Sequence, residues 1–391
     1  HSTNFLGDVT LKLNLTDNLS TQAMIAHRAN EYRDILYYSA QHKESLDNAR
    51  AGRARQAYGR NMDKTFEWLV KYINSFGDHS INAVAGYSFQ EFNADGFDME
   101  NFDFPVDGIE AWDMGKGTFL SEGKAGMGSW KDPRERLIAF FGRANYTFRE
   151  KYILSLSGRY EGSSKFFTDN QWGFFPAVSA GWRISDESFM DNADVVSDLK
   201  IRGGYGVTGN QSFDPGQSTR MYSSDTWWLV DYEWIYTYGS AHNQNIDLQW
   251  EDKKEFNFGV DFGFLYNKLT GKFDLYDRKV DKMIYEISVS VPPAVHDKTT
   301  MNVGSLRNKG WEAELNYNAI SSANWDYSTT LRISHNKSTL ESLWGSQTYW
   351  VRVGFPATDS PGNAVRLFPR QDIGKFYVWR LVGSTAEGNC M

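Results

Sequence analysis

The chain has 391 residues, a formal charge of −8 and a mean hydropathy of −0.55. No segment approaches the ~20 consecutive apolar residues that a membrane-crossing helix needs, which excludes a helical membrane protein. A β-barrel is not excluded, because its strands need apolar residues only at alternate positions. Phe, Tyr and Trp make up 16% of the chain. Such rings suit the two membrane–water interfaces, although large β-sandwiches and sugar-binding proteins are also rich in them. The single cysteine, Cys390, leaves no internal disulfide and no cysteine cluster for a metal.

In chain order, period-two alternation marks one strand after another. Val9, Leu11, Leu13 and Leu15 alternate with Thr10, Lys12, Asn14 and Thr16. Phe66, Trp68, Val70 and Tyr72 form the next clear row, followed by Ile81, Ala83, Ala85, Tyr87 and Phe89. Tyr152, Leu154, Leu156 and Tyr160 oppose Ser155, Ser157, Arg159 and Glu161. Phe256, Phe258, Val260, Phe262 and Phe264 oppose Glu255, Asn257, Asp261 and two glycines. Trp311, Ala313, Leu315 and Tyr317 oppose Glu312, Glu314, Asn316 and Asn318; Trp325, Tyr327, Leu331 and Ile333 oppose Asp326, Ser328, Arg332 and Ser334. About a dozen strands result, several beyond ten residues, longer than the ~5–6 of soluble strands and matching the ~9–11 needed to cross a bilayer.

The connections alternate in length. Short turns are expected at Thr16–Asn18, Asn74–Asp78, Arg149–Lys151, Tyr266–Lys268 and Ser321–Asn324, and a longer connection on the same side at Asp186–Asp198. Between them lie long polar segments, roughly 31–62, 93–134, 210–249, 287–305 and 337–371. Tight turns on one edge and long loops on the other are the pattern of an outer-membrane barrel. Prolines fall in loops or at strand edges, with Pro176 expected at the start of a strand, where a missing donor is tolerable. The fold expected is therefore all-β, a transmembrane antiparallel β-barrel.

Three stretches carry a family resemblance: FFPAVSAGWRISDESFM from Phe174 to Met190, LKIRGGYGVTGNQ from Leu199 to Gln211, and Leu248 to Tyr317, which contains LQWEDKKEFNFGVDFGFLYNKLTGKFDLYDRKVDKMIYE and NVGSLRNKGWEAELNY. Through them the chain resembles the SusC/RagA-like TonB-linked outer-membrane proteins, TonB-dependent transporters of Gram-negative bacteria. The resemblance implies a barrel of about 22 strands, of which about 12–13 are present here, closed by an N-terminal plug. It also implies coupling to TonB through the segment before the plug, and a SusD-like surface lipoprotein as a lid. No plug is found in residues 1–391, so the whole chain is expected to be part of the barrel domain of a longer polypeptide. Glycines at 181, 203, 204, 206 and 209 then mark either the close approach of a plug or strand curvature.

No catalytic constellation or cofactor motif stands out. The seven histidines are scattered without HExxH-type spacing, and the glycine-rich run before Asn210 lacks a P-loop lysine. Asp95, Asp98, Asp103, Asp107 and Asp113 lack EF-hand spacing and read better as a solvated acidic loop than as a Ca²⁺ site. The best binding candidates are aromatic. Trp227, Trp228, Trp234, Tyr236 and Tyr238 form one cluster, and Trp344, Tyr349 and Trp350 a second. At a pore mouth these rings can stack on sugar, pack against a partner or hold loops together. The expected function is energised import of a bulky nutrient, glycan or oligopeptide. The alternatives are a passive porin-like channel and a soluble β-sandwich binding module.

Overall fold

The computed structural model describes residues 1–322, 324–345, 350–354, 363–373 and 375. Twelve long strands follow one another as an antiparallel meander: β1 Ser2–Asn14, β2 Leu19–Tyr38, β3 Arg53–Phe76, β4 His79–Phe102, β5 Glu135–Phe148, β6 Tyr152–Ser163, β7 Trp172–Arg183, β8 Val196–Asn210, β9 Glu251–Phe264, β10 Leu269–Asp281, β11 Ser305–Ser321 and β12 Asp326–Ser342. Two short strands complete this sheet: Gly126–Lys131 pairs with the upper half of β4, and Gln371–Asp372 with β12. Among the described residues the sheet is open between β1 and β12.

Register aligns the side chains into two rows that continue from strand to strand. Tyr72, Ala83, Ala144, Leu156, Val178 and Tyr205 stand side by side across six strands. The next row along the strands is Val70, Ala85, Gly142, Gly158 and Pro176. Leu11, Ile25, Trp68, Phe140, Leu156, Phe256, Leu331 and Ile333 all belong to this outer face and are exposed, as contact with hydrocarbon requires. The inner face carries the charges. Arg202 of β8 reaches Asp261 at 3.1 Å and Asp274 at 2.7 Å, while Arg278 meets Glu255 at 3.0 Å and Arg332 meets Glu314 at 2.9 Å. A sheet with one apolar and one charged face follows directly from the alternation.

Two expectations need correction. Segments 31–62 and 93–134 are not loops throughout: β2 runs to Tyr38, β3 starts at Arg53 and β4 continues to Phe102. These extensions rise beyond the apolar band. With water on both sides there is no apolar row for alternation to reveal. Pairs such as Arg53–Glu100 (2.6 Å) and Arg60–Asp95 (3.1 Å) take its place. Asp95 and Asp98 therefore lie on a strand, and the segments 210–249, 287–305 and 337–371 likewise contain strand residues. Pro176, in turn, sits inside β7, one residue before the β7–β8 ladder begins at Ala177–Gly206. Its missing N–H falls where β8 has parted from β7, so no ladder bond is lost there.

Candidate functional site: the loop-lined mouth and its aromatic hairpin

The connections after β2, β4, β6, β8 and β10 leave from one edge of the sheet and pack there on their neighbours, while the twelve-residue connection 184–195 lies at the opposite, tight-turn edge. Above Ala177–Gly206, β7 and β8 separate, and an apolar cluster fills the opening: Phe166, Phe175, Leu248 and Trp250, backed by Leu137 and Phe213. Phe175 lies where a Cβ on Gly209 would come within 2.1 Å of its ring. That glycine thus makes room for a neighbouring wall residue. The Trp250 indole Nε1 donates to the Gln171 carbonyl at 3.0 Å, so the ring is fixed at both ends. This cluster is not apparent in the sequence, because its members come from five separate segments.

Segment 242–250 is laced to the hairpin Ile284–Ser288/Lys298–Asn302 by asparagines. Asn243 Nδ2 donates to the carbonyls of His296 (2.6 Å) and Lys298 (2.8 Å), and Asn245 Nδ2 to that of Thr300 (2.9 Å). Asn302 donates to the carbonyls of Gln249 and Lys282 and accepts from the Gln249 amide, each at 2.8 Å. In NVGSLRNKG, then, Asn302 clamps two loops, Val303 is fully buried, and Gly304 turns the chain with φ +66° into β11.

From this base rises a two-stranded hairpin, Tyr222–Val230/Glu233–Ser240, which pairs with no wall strand among the described residues. Its turn, Asp231-Tyr232, has both φ positive, the geometry of a tight type I′ hairpin. Trp227 stands opposite Tyr236 with ring centroids 3.7 Å apart, and Leu229 stands opposite Trp234. Strand alternation puts Trp227, Leu229, Trp234, Tyr236 and Tyr238 on one face and Trp228 with Ile235 on the other. All five nominated rings are exposed, Tyr238 at 80%. Tyr232, not among the candidates, is 97% exposed at the tip. A turn without Asn-Gly or Asp-Gly gave no signal for it. Trp344 follows β12 and is exposed. Tyr349 lies outside the described residues. Trp350 begins a strand, Trp350–Gly354, but its side chain is also outside the description.

Below the loops the inner wall is polar. A recess of about 340 Å³ is lined by Arg28, Asp63, Asn93, Asp132, Glu135 and Pro215. Partial desolvation at the edge of this recess, reinforced by nearby Asp214, pushes the Asp132 carboxyl above its ordinary range. The Tyr37 hydroxyl (2.6 Å) and the Ala40 amide (3.0 Å) donate to Asp107 and hold it below its range. Asp107 is thus satisfied by its own fold, and no group of metal-binding residues occurs among the described residues.

A meander of long strands, apolar outside and charged inside, with tight turns at one edge and packed loops at the other, defines the wall of a membrane β-barrel. The chain belongs to the TonB-dependent receptor-like β-barrel family, which matches residues 1–387. It is 31% identical to the TonB-dependent receptor SusC of Bacteroides thetaiotaomicron over 313 residues, 76% of this chain and 30% of that protein. It is 26% identical to the TonB-dependent receptor P26 of Formosa agariphila over 88% of this chain and 34% of that protein. The chain thus spans about a third of these relatives. Its fold is that of the RagAB peptide transporter, with TM-score 0.79 at 20% identity, covering 99% of this chain and 41% of that one.

Proposed function

We propose that the chain is part of the barrel wall of a TonB-coupled importer in the outer membrane of a Gram-negative bacterium. It admits a bulky nutrient, glycan or oligopeptide, and works with a SusD-like surface lipoprotein seated over the loops. The observation that carries this reading is the segregation of the molecule: apolar outer row, charged inner row, and the loops after β2, β4, β6, β8 and β10 at one edge, within a family match over nearly the full chain. Under this reading a plug and a TonB-contacting segment belong to the complete gene product. The exposed rings of the 222–240 hairpin, carried on an asparagine-laced base, then meet sugar rings, peptide side chains or the lid.

The test is uptake of fluorescent oligosaccharides and oligopeptides by cells producing the complete gene product. Uptake is expected to fall to background when a protonophore collapses the proton-motive force. Trp227→Ala/Tyr236→Ala is expected to raise the half-saturating concentration about tenfold, the loss of one stacking pair and its contact area. Uptake that persists without the proton-motive force identifies a passive channel and overturns the proposal.

A further inference from the structure

We infer that the outer face of β3–β5 holds an anionic lipid, its phosphate on a basic row and an acyl chain in an apolar groove below. The inference rests on this face meeting a membrane. The groove, about 730 Å³, is cut into the outer row by small residues: Val70, Ala83, Ala85, Gly142, Ala144 and Gly158. It continues upward between Trp68 and Phe140. Four residue rows above the Tyr72–Ala83–Ala144 row, on the same strands and the same face, stand Lys64, Glu91 and Arg136.

The charges of this row are not balanced. Arg136 and Arg134 share a single carboxylate, Glu91, at 2.9 and 4.0 Å. Glu91 is only 13% exposed, whereas both arginines are half exposed. Asp95 is taken by Arg60 at 3.1 Å, which leaves Lys131, its register partner on the other side, and Lys64 exposed and without an ion pair among the described residues. On the opposite arc of the sheet, outer-face cations at similar height are each paired: Lys254 with Asp281, Lys279 with Asp281 and Glu341, Arg307 and Lys309 with Asp277, and Lys337 with Asp372. Of these two arcs, the β3–β5 arc thus offers unpaired positive charge among the described residues, and it does so on a chain of net charge −8.

The spacing selects a lipid as occupant. From Lys64 to Val70 the strand advances about 20 Å, or roughly 14 Å of depth at a ~45° tilt, which is one leaflet of a ~30 Å hydrocarbon core. A phosphate at the basic row therefore places its acyl chain across Phe66 and Trp68 into the groove. A free phosphate uses only the upper half and a neighbouring protein only the lower.

The experiment uses the complete gene product in mild detergent, offered dioleoyl phosphatidylglycerol or dioleoyl phosphatidylcholine, with bound lipid counted by native mass spectrometry. Phosphatidylglycerol is expected to be retained about tenfold over phosphatidylcholine. Lys64→Gln/Lys131→Gln removes two cations without orphaning a carboxylate and is expected to abolish most of that preference. Lys254→Gln/Lys337→Gln on the opposite arc is expected to leave it intact. Gly142→Leu fills the groove; its Cβ meets only the Val84 carbonyl, at an ordinary 3.5 Å, so the sheet tolerates it. This variant is expected to lower retention of both lipids while keeping their ratio. Equal retention of the two lipids by the unmodified protein overturns the inference, as does an unchanged preference in the Lys64/Lys131 variant or undiminished retention in Gly142→Leu. Full displacement by an equal concentration of inorganic phosphate makes the site one for phosphate alone and also overturns it. A protein that still imports its substrate but shows no lipid preference separates this failure from a failure of the proposed function.

Discussion

Arginine in place of Val260 is expected to destabilise the folded barrel by roughly 2–4 kcal/mol, whereas arginine in place of Asn257 costs at most about 1 kcal/mol. Val260 is the third of five outer residues from Phe256 to Phe264, so it lies near the middle of the apolar band. Its neighbours across the two ladders are Ile201 and Phe273. A guanidinium there must reach an interface through hydrocarbon, and no carboxylate of the outer row lies beside it. Asn257 sits on the inner face between Gly204 and Tyr276, two residues from Glu255. The check is a urea titration of the complete gene product folded into lipid vesicles. Equal losses at the two positions would overturn the assignment of faces.

Gly304→Ala carries the second large effect, a destabilisation of about 3 kcal/mol. Two costs add at this position. With φ at +66° an L-residue is strained by about 1–2 kcal/mol, and an added Cβ lies 2.2 Å from the Ser342 carbonyl oxygen, a backbone atom that cannot rotate away. Gly345 supplies the control. It also has a positive φ, +59°, but among the described residues nothing lies within 4 Å of its would-be Cβ. Gly345→Ala should therefore show the strain alone, about 1–2 kcal/mol. The same vesicle titration measures both, and equal losses would remove steric contact as the reason for glycine in NVGS.

Why some features were legible in the residues and others were not follows from what water and hydrocarbon each demand. Where lipid faces one side of a strand, that side must be apolar, and Phe256 to Phe264 or Ile81 to Phe89 reads without ambiguity. Above the band both sides are wet. Residues 53–62 and 93–102 are as extended as the rest of β3 and β4, yet their pairing rests on Arg60–Asp95 and Arg53–Glu100, and charge pairs have no period to detect. The aromatic hairpin was visible as a cluster of rings. That Trp228 lies on the face opposite Trp227 and Tyr236 depends on the register around Asp231-Tyr232, which no turn motif announces. Phe166, Phe175 and Trp250 lie too far apart in sequence for any local pattern to join them. Pro176 looked like a strand beginning because proline lacks a donor. The requirement is met instead by the parting of β7 and β8.

The most direct measurement of the central claim is a spin-label scan of β9, with single nitroxides placed at each of 254–262 in the complete gene product, reconstituted in vesicles. Positions 256, 258, 260 and 262 are expected to collide readily with oxygen, with oxygen access highest and access to a water-soluble nickel complex lowest at 260. Labels at 255, 257, 259 and 261 are expected to show restricted oxygen access or contact with water in the lumen. A two-residue period in accessibility that peaks at 260 is the signature of this wall in a membrane. Nickel access equal to that of a soluble protein on both faces would contradict it.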